Sequence, residues 1–213
     1  MLILTKIQKR TYIEDMYNKE YLYFNSLNDF RSNNKDLSGR LDPRELNTKN
    51  EQLKTLSIRI DNINEIHFHE MKKFSGQYNE YFKDPNINCC SLNWMEIEPG
   101  HTATTFHKNL INMGEKALLI YDCKKFYEIL DKAIGNRGFE YSRKKVSYYN
   151  PKKFNGDLTL HHKSDEFSWQ NEYRILIKPT NYKPINVALP GLKKISIIIN
   201  TKDIEKLRIE LIN

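Results

Sequence analysis

The run Lys163-Ser164-Asp165-Glu166-Phe167-Ser168-Trp169-Gln170-Asn171-Glu172-Tyr173-Arg174-Ile175-Leu176-Ile177 reads as a strand in its second half. Trp169, Asn171, Tyr173, Ile175 and Ile177 fall on one face, and Gln170, Glu172, Arg174 and Leu176 on the other, because strand side chains alternate with period two. That spacing aims an amide, a carboxylate and a guanidinium the same way from a stiff support. A Gln-x-Glu pair so held suits a site that grips a sugar hydroxyl beside a developing positive charge. The same pattern also decorates wet sheet faces, with Glu172 simply paired to Arg174.

Working outward, further strands are expected at 2–7, 21–24, 87–92, 117–121, 146–149, 185–189 and 194–199, with an edge strand at 207–211. Residues 55–60 alternate like a strand, with 64–69 as the hairpin partner. Helices are expected over 12–18, capped by Thr11 with Glu14 as its capping-box partner, and from Thr102 or Thr104 to Asn112 with Gly114 as C-cap. Another runs over 124–133, capped by Asp122 and ended at Gly135, and Ser26 and Thr201 each cap a short helix. Residues 33–50 read as a long loop whose 39–45 segment alternates charges in a way suited to local ion pairs. Strands dominate without a regular βαβ order. The fold class is therefore α+β, a mixed and mainly antiparallel sheet with flanking helices, in a single domain over 1–213.

The chain has 213 residues, and 12% of them are aromatic, including 13 Tyr and 10 Phe; this separates it from disordered chains. A formal net charge of +7 favours anionic partners, with nucleic acid or a polyphosphate the natural classes. Cys89, Cys90 and Cys123 fit no disulfide framework or zinc spacing and read as buried free thiols, with Cys89 or Cys90 as minor nucleophile candidates. The N-terminal apolar run is too short for a signal peptide, and no apolar stretch is long enough to span a bilayer. A soluble, cytoplasmic protein with no membrane partner is expected.

Phosphate-loop, dinucleotide, zincin and nucleophile-elbow motifs are absent from the sequence. His67 and His69 alternate on one strand but lack an obvious third ligand, so no metal is expected. His161 and His162 adjoin Lys163, and an extended chain points only one of them into any site there. Gln170, Glu172 and Arg174 remain, with the aromatic segment Tyr23-Phe24-Asn25-Ser26 and with Phe30 and Arg31. Breaking an N-glycosidic bond needs a fixed carboxylate near ribose hydroxyls, aromatic faces for the leaving base and cationic donors for phosphates. All of those parts occur here.

The segments Tyr21-Leu22-Tyr23-Phe24-Asn25-Ser26-Leu27-Asn28-Asp29-Phe30-Arg31, Gly39-Arg40-Leu41-Asp42-Pro43-Arg44-Glu45 and Lys163 to Arg174 resemble those of a group of uncharacterised bacterial and phage-associated proteins. That group is similar, more remotely, to the ADP-ribosyltransferase fold. The resemblance implies an enzyme transferring ADP-ribose from NAD to a protein or nucleic-acid target, as a toxin or phage-defence effector that an antitoxin would restrain. It implies Glu172 as the catalytic carboxylate at the nicotinamide ribose and Gln170 as the residue handling the acceptor. It also implies Lys6 or Arg10 as the first-strand basic residue, Asn25 and Ser26 positioning NAD, and Tyr23 or Phe30 stacking on nicotinamide. Arg31, Arg40 and Arg174 would meet phosphate or target. The resemblance further implies that Gln170 disfavours arginine as acceptor and, with the basic surface, that the acceptor is a nucleobase or an amide side chain. Two other classes compete: a non-catalytic nucleic-acid-binding protein, and a nuclease or NAD glycohydrolase using Glu172 with His162 or Lys163.

Overall fold

A computed structural model describes residues 1–30, 42–54, 56–58, 69–71, 75–83, 86–96, 107–178 and 183–207. The chain opens with β1 (Leu2–Gln8), α1 (Arg10–Lys19) and β2 (Tyr21–Ser26). Then follow β3 (Asn47–Leu53), β4 (Leu56–Ile58), β5 (His69–Met71), β6 (Gly76–Tyr81), β7 (Asn88–Glu96) and α2 (Lys108–Ile111). The second half carries β8 (Lys116–Ile120), α3 (Cys123–Gly135), β9 (Glu140–Lys145), β10 (Ser147–Tyr149), β11 (Gly156–Asp157) and β12 (His162–Ser164). It closes with β13 (Glu172–Lys178), β14 (Ile185–Ala188) and β15 (Ser196–Asn200), and single 3₁₀ turns occupy Leu27–Phe30, Asp165–Gln170, Leu192–Ile195 and Thr201–Lys206. The protein is α+β, and every described strand pairing is antiparallel except β10 with β12.

The main sheet forks. On one edge of β7, β1 pairs opposite Asn93 to Glu96, while β2 pairs only opposite Asn88 and Cys89. Between those two pairings, Cys90 to Leu92 have no cross-strand partner on that edge among the described residues. The other edge of β7 pairs with β13, from Glu172 opposite Asn93 to Ile177 opposite Asn88. Helix α1 links the diverging β1 and β2, and Lys6 Nζ donates to the Ser91 carbonyl at 2.8 Å inside the fork. A sheet opened in this way leaves backbone acceptors to be met by side chains or ligands.

Period-two alternation assigns the two faces. Leu22, Phe24, Cys90, Leu92, Tyr173, Ile175 and Ile177 enter the principal core together with Phe126, Leu130 and Ile134 of α3. Burying such side chains contributes about 1.5–3 kcal/mol each. The opposite face of β13 carries Glu172, Arg174 and Leu176. It is covered rather than wet, since Leu176 packs with Leu27, Leu46 and Cys89 in a separate apolar cluster.

Several local expectations are corrected. Helix α1 begins at Arg10 after Lys9, which offers no side-chain cap, so Thr11 lies inside the helix. Helix α2 starts after His107, whose ring accepts the Asn109 N–H, and ends at Asn112. Gly114 is there for close approach instead: a Cβ on it would lie 2.3 Å from the Gln8 backbone. Asp122 caps α3 as expected, accepting from the Lys125 N–H at 2.9 Å. The 33–50 loop gives way to β3 at Asn47, and β6 and β9 occupy stretches where no strand, or no distinct element, is expected. The expected partner of β4 shifts downstream to His69–Met71. Residues 208–211 of the expected edge strand, His67, and Thr102 and Thr104 lie outside the described residues.

Candidate active site

The stretch around Glu172 departs from a continuous strand. Residues Asp165–Gln170 form a 3₁₀ turn, Asn171 follows at φ 43°, and the strand begins only at Glu172. Asn is among the few residues that enter the left-handed region readily. Gln170 and Glu172 nevertheless meet, through a third group. Lys163 Nζ donates to Gln170 Oε1 at 2.9 Å and to Glu172 Oε2 at 3.1 Å. The turn is pinned to β7, where Asn93 Nδ2 donates to the Gln170 carbonyl at 2.7 Å.

Behind Glu172 lies Arg174, which is 1% exposed. Its Nε donates to Glu172 Oε1 at 2.8 Å, and Nη2 donates to Glu172 Oε2 and to Glu45 Oε2, both at 3.2 Å. Nη1 donates to Glu45 Oε1 at 2.7 Å and to the Leu160 carbonyl. These bonds engage all five guanidinium donors. Glu45, Glu172, Lys163 and Arg174 thus form a buried quartet with no net charge, the arrangement that makes ionised groups tolerable in a core. Burial alone would raise the Glu172 pKa. The Arg174 and Lys163 charges and hydrogen bonds outweigh it and hold the carboxyl well below the usual range. Glu45 moves the other way: burial dominates over Arg174 and Lys163, and the Glu172 charge adds to it.

Glu172, Gln170 and Lys163 form the floor of a cleft of about 660 Å³ at the sheet fork. One wall is α1, with Tyr12, Asp15 and Met16; a second is β2, with Tyr21, Tyr23 and Asn25. Lys6 of β1 and Cys89, Ser91 and Asn93 of β7 complete the back. Tyr21 Oη donates to Asp15 Oδ2 at 2.7 Å, and burial with that bond pushes the phenol up to about 12. The cleft combines two ammonium groups, aromatic rings, amides and three carboxylates, of which Asp15 and Asp29 are not buried and Glu172 is.

Of the residues expected in the site, Lys6, Tyr23, Asn25, Gln170 and Glu172 come together here. Ser26 does not: alternation along β2 puts it on the core face with Leu22 and Phe24, where it is 8% exposed. Arg10 lies outside the cleft at the start of α1, with its N–H bonded to Glu115 Oε2. Arg174 is sealed beneath Glu172 and does not line the cleft. Phe30 ends the first 3₁₀ turn; its side chain, Arg31 and Arg40 lie outside the described residues. Glu45 pairs with Arg174, 129 residues away, in place of a local partner. Asn93 and Ser91 escaped notice although their alternation with Cys90 and Leu92 marks them as opposite the core. Cys89 and Cys90 are buried, and burial raises both thiols, which disfavours the thiolate a nucleophile needs. Among the described residues, no three His, Cys, Asp or Glu side chains are placed to hold a metal ion. No described helix is long and apolar enough to cross a membrane.

The two histidines sit behind the site. His162 Nδ1 accepts from the Thr159 N–H at 2.9 Å. His161 is 5% exposed, with Nε2 2.9 Å from Ser142 Oγ and Nδ1 buried without a hydrogen-bond partner among the described residues. Burial first, then the Lys144 and Arg174 charges, lowers its pKa to about 4 from 6.5. The folded value lies below the unfolded one. His161 therefore contributes stability above pH 6.5 that is lost as pH falls toward 4, up to about 3 kcal/mol. Urea unfolding at pH 7, 5.5 and 4.5 should show His161→Asn with a shallower acid slope than the parent across that window. Parallel slopes would contradict it.

Comparison with protein-family models, with curated proteins and with solved structures finds no match for this chain.

Proposed function

We propose that the chain is an ADP-ribosyltransferase-like enzyme that takes NAD into the fork cleft and transfers ADP-ribose to a macromolecular target. The observation that carries this reading is Glu172: an ionised carboxylate held rigidly at the floor of an aromatic-walled cleft of nucleotide size. The fork itself favours it, because a cleft between diverging strands offers a dinucleotide both backbone groups and two lysines. In this reading the C1′–N bond of the nicotinamide ribose breaks, and its electron pair leaves on nicotinamide. Glu172 faces the resulting ribosyl cation and grips the ribose hydroxyls. The acceptor forms the new bond to C1′ and gives up its proton. Gln170 orients the acceptor, Tyr23 and Asn25 hold the nicotinamide end, and Lys6 meets phosphate. Arg174 is a positioning residue that fixes the carboxylate without touching substrate. The basic surface suits a nucleic-acid acceptor, and a toxin or phage-defence role fits such a target.

Incubation with NAD labelled in its adenylate half, alone and with RNA, DNA or cell lysate, tests the reading. Label entering polymer is the expected result. Free ADP-ribose without polymer label would make the protein a glycohydrolase, and unconsumed NAD under all conditions would leave a binding protein.

A further inference from the structure

We propose that Lys163 is an exchangeable counter-ion: a diphosphate-bearing ligand entering the cleft draws its ammonium off Glu172 and so uncovers the carboxylate. The inference deepens the ADP-ribose-transfer reading of the same cleft and rests on it for its purpose, though not for its geometry. Two cations hold Glu172, from opposite sides and in unlike ways. Arg174 is outside the cleft, with every donor committed to fixed acceptors. Lys163 lines the cleft, sharing its ammonium between Glu172 and the neutral Gln170 amide. A lysine is a point charge on a flexible four-carbon stem, so it can change acceptor where a saturated guanidinium cannot.

A second ammonium faces the same space. Lys6 Nζ donates to the Ser91 carbonyl, and among the described residues no carboxylate pairs with it. A diphosphate offers both lysines the anionic acceptor that one shares and the other lacks, through charge-assisted bonds. The balance of the quartet then changes in a useful way. While Lys163 stays on Glu172, the carboxylate is neutralised twice over and partly covered. Once Lys163 turns to the ligand, one negative charge is left on the cleft floor, facing the place where the ribosyl cation would form.

Calorimetric titration of inorganic pyrophosphate into the full chain separates this from a fixed structural ion pair. The parent should bind; Lys163→Met should bind roughly tenfold more weakly or worse, the loss of one charge-assisted contact. Glu172→Gln should bind roughly tenfold more tightly, because Lys163 no longer divides itself between ligand and carboxylate. A merely structural lysine would not produce that tightening. Should Lys163→Met fail to fold, the pyrophosphate-driven rise in Tm decides: it should be larger for Glu172→Gln than for the parent. Equal affinities for parent and Glu172→Gln, or no binding, would overturn the exchange. Pyrophosphate behaviour as expected without NAD consumption would retire the reaction and keep the exchange. NAD consumption with a pyrophosphate affinity indifferent to Glu172→Gln would do the reverse.

Discussion

Arg174→Met should destabilise the protein by about 3–5 kcal/mol, the cost of stripping the partner from buried charge. Two carboxylates, Glu45 and Glu172, lose their shared guanidinium, and the Leu160 carbonyl loses a donor. Lys163 can compensate only one of them. Urea unfolding should show a midpoint lowered by more than about 1 M at unchanged slope. Arg174→Lys should be nearly as damaging, since one ammonium with three donors cannot reproduce a five-donor fork. The double variant Glu45→Leu with Arg174→Met should be more stable than the sum of its parts, because it removes one of the stranded charges. A midpoint close to the parent's for Arg174→Met would mean that the quartet does not hold this face together.

The second large effect is on chemistry. Glu172→Gln should reduce NAD consumption by roughly 10²–10³-fold, the scale of losing one preorganised electrostatic contact to a charged transition state. The amide keeps the size of the side chain and one acceptor for Arg174, so circular dichroism should still show the folded protein, with a lowered Tm because Arg174 and Lys163 lose their shared anion. The loss should fall on kcat, with KM for NAD lowered and not raised, because the released Lys163 binds the diphosphate more tightly. An equal loss in Tyr23→Ala and none in Glu172→Gln would place the chemistry elsewhere in the cleft.

How far the sequence could be read depended on burial. Leu2–Gln8, Asn88–Glu96 and Lys116–Ile120 carry apolar runs or alternation because the sheet buries them, and the isoleucine run of Ser196–Asn200, only partly buried, has the β-branched composition of a strand, so their existence was legible. Gly76–Tyr81 and Glu140–Lys145 expose every other side chain or more, and their polar composition hides strands that pair with β3 and β13. Asn171 was legible in principle as a residue tolerant of positive φ, yet the apolar alternation around it argues for an unbroken strand. The partition of β13 into Tyr173, Ile175 and Ile177 against Glu172, Arg174 and Leu176 held, because it depends on parity alone. Parity also explains Ser26, which shares the face of Leu22 and Phe24. Glu45 had no local signal: its partner is set by how two distant segments dock, and alternating charges nearby offered a nearer alternative. Lys163 was visible as a neighbour of the key strand, but its bond to Glu172 needed the intervening 3₁₀ turn.

The most direct measurement is a crystal structure of Glu172→Gln soaked with NAD. The expected result is a dinucleotide in the sheet fork, with the nicotinamide ribose hydroxyls within hydrogen-bond reach of residue 172 and the diphosphate on Lys6 and Lys163. NAD bound away from the fork, or a fork whose floor the ribose never approaches, would contradict a catalytic Glu172.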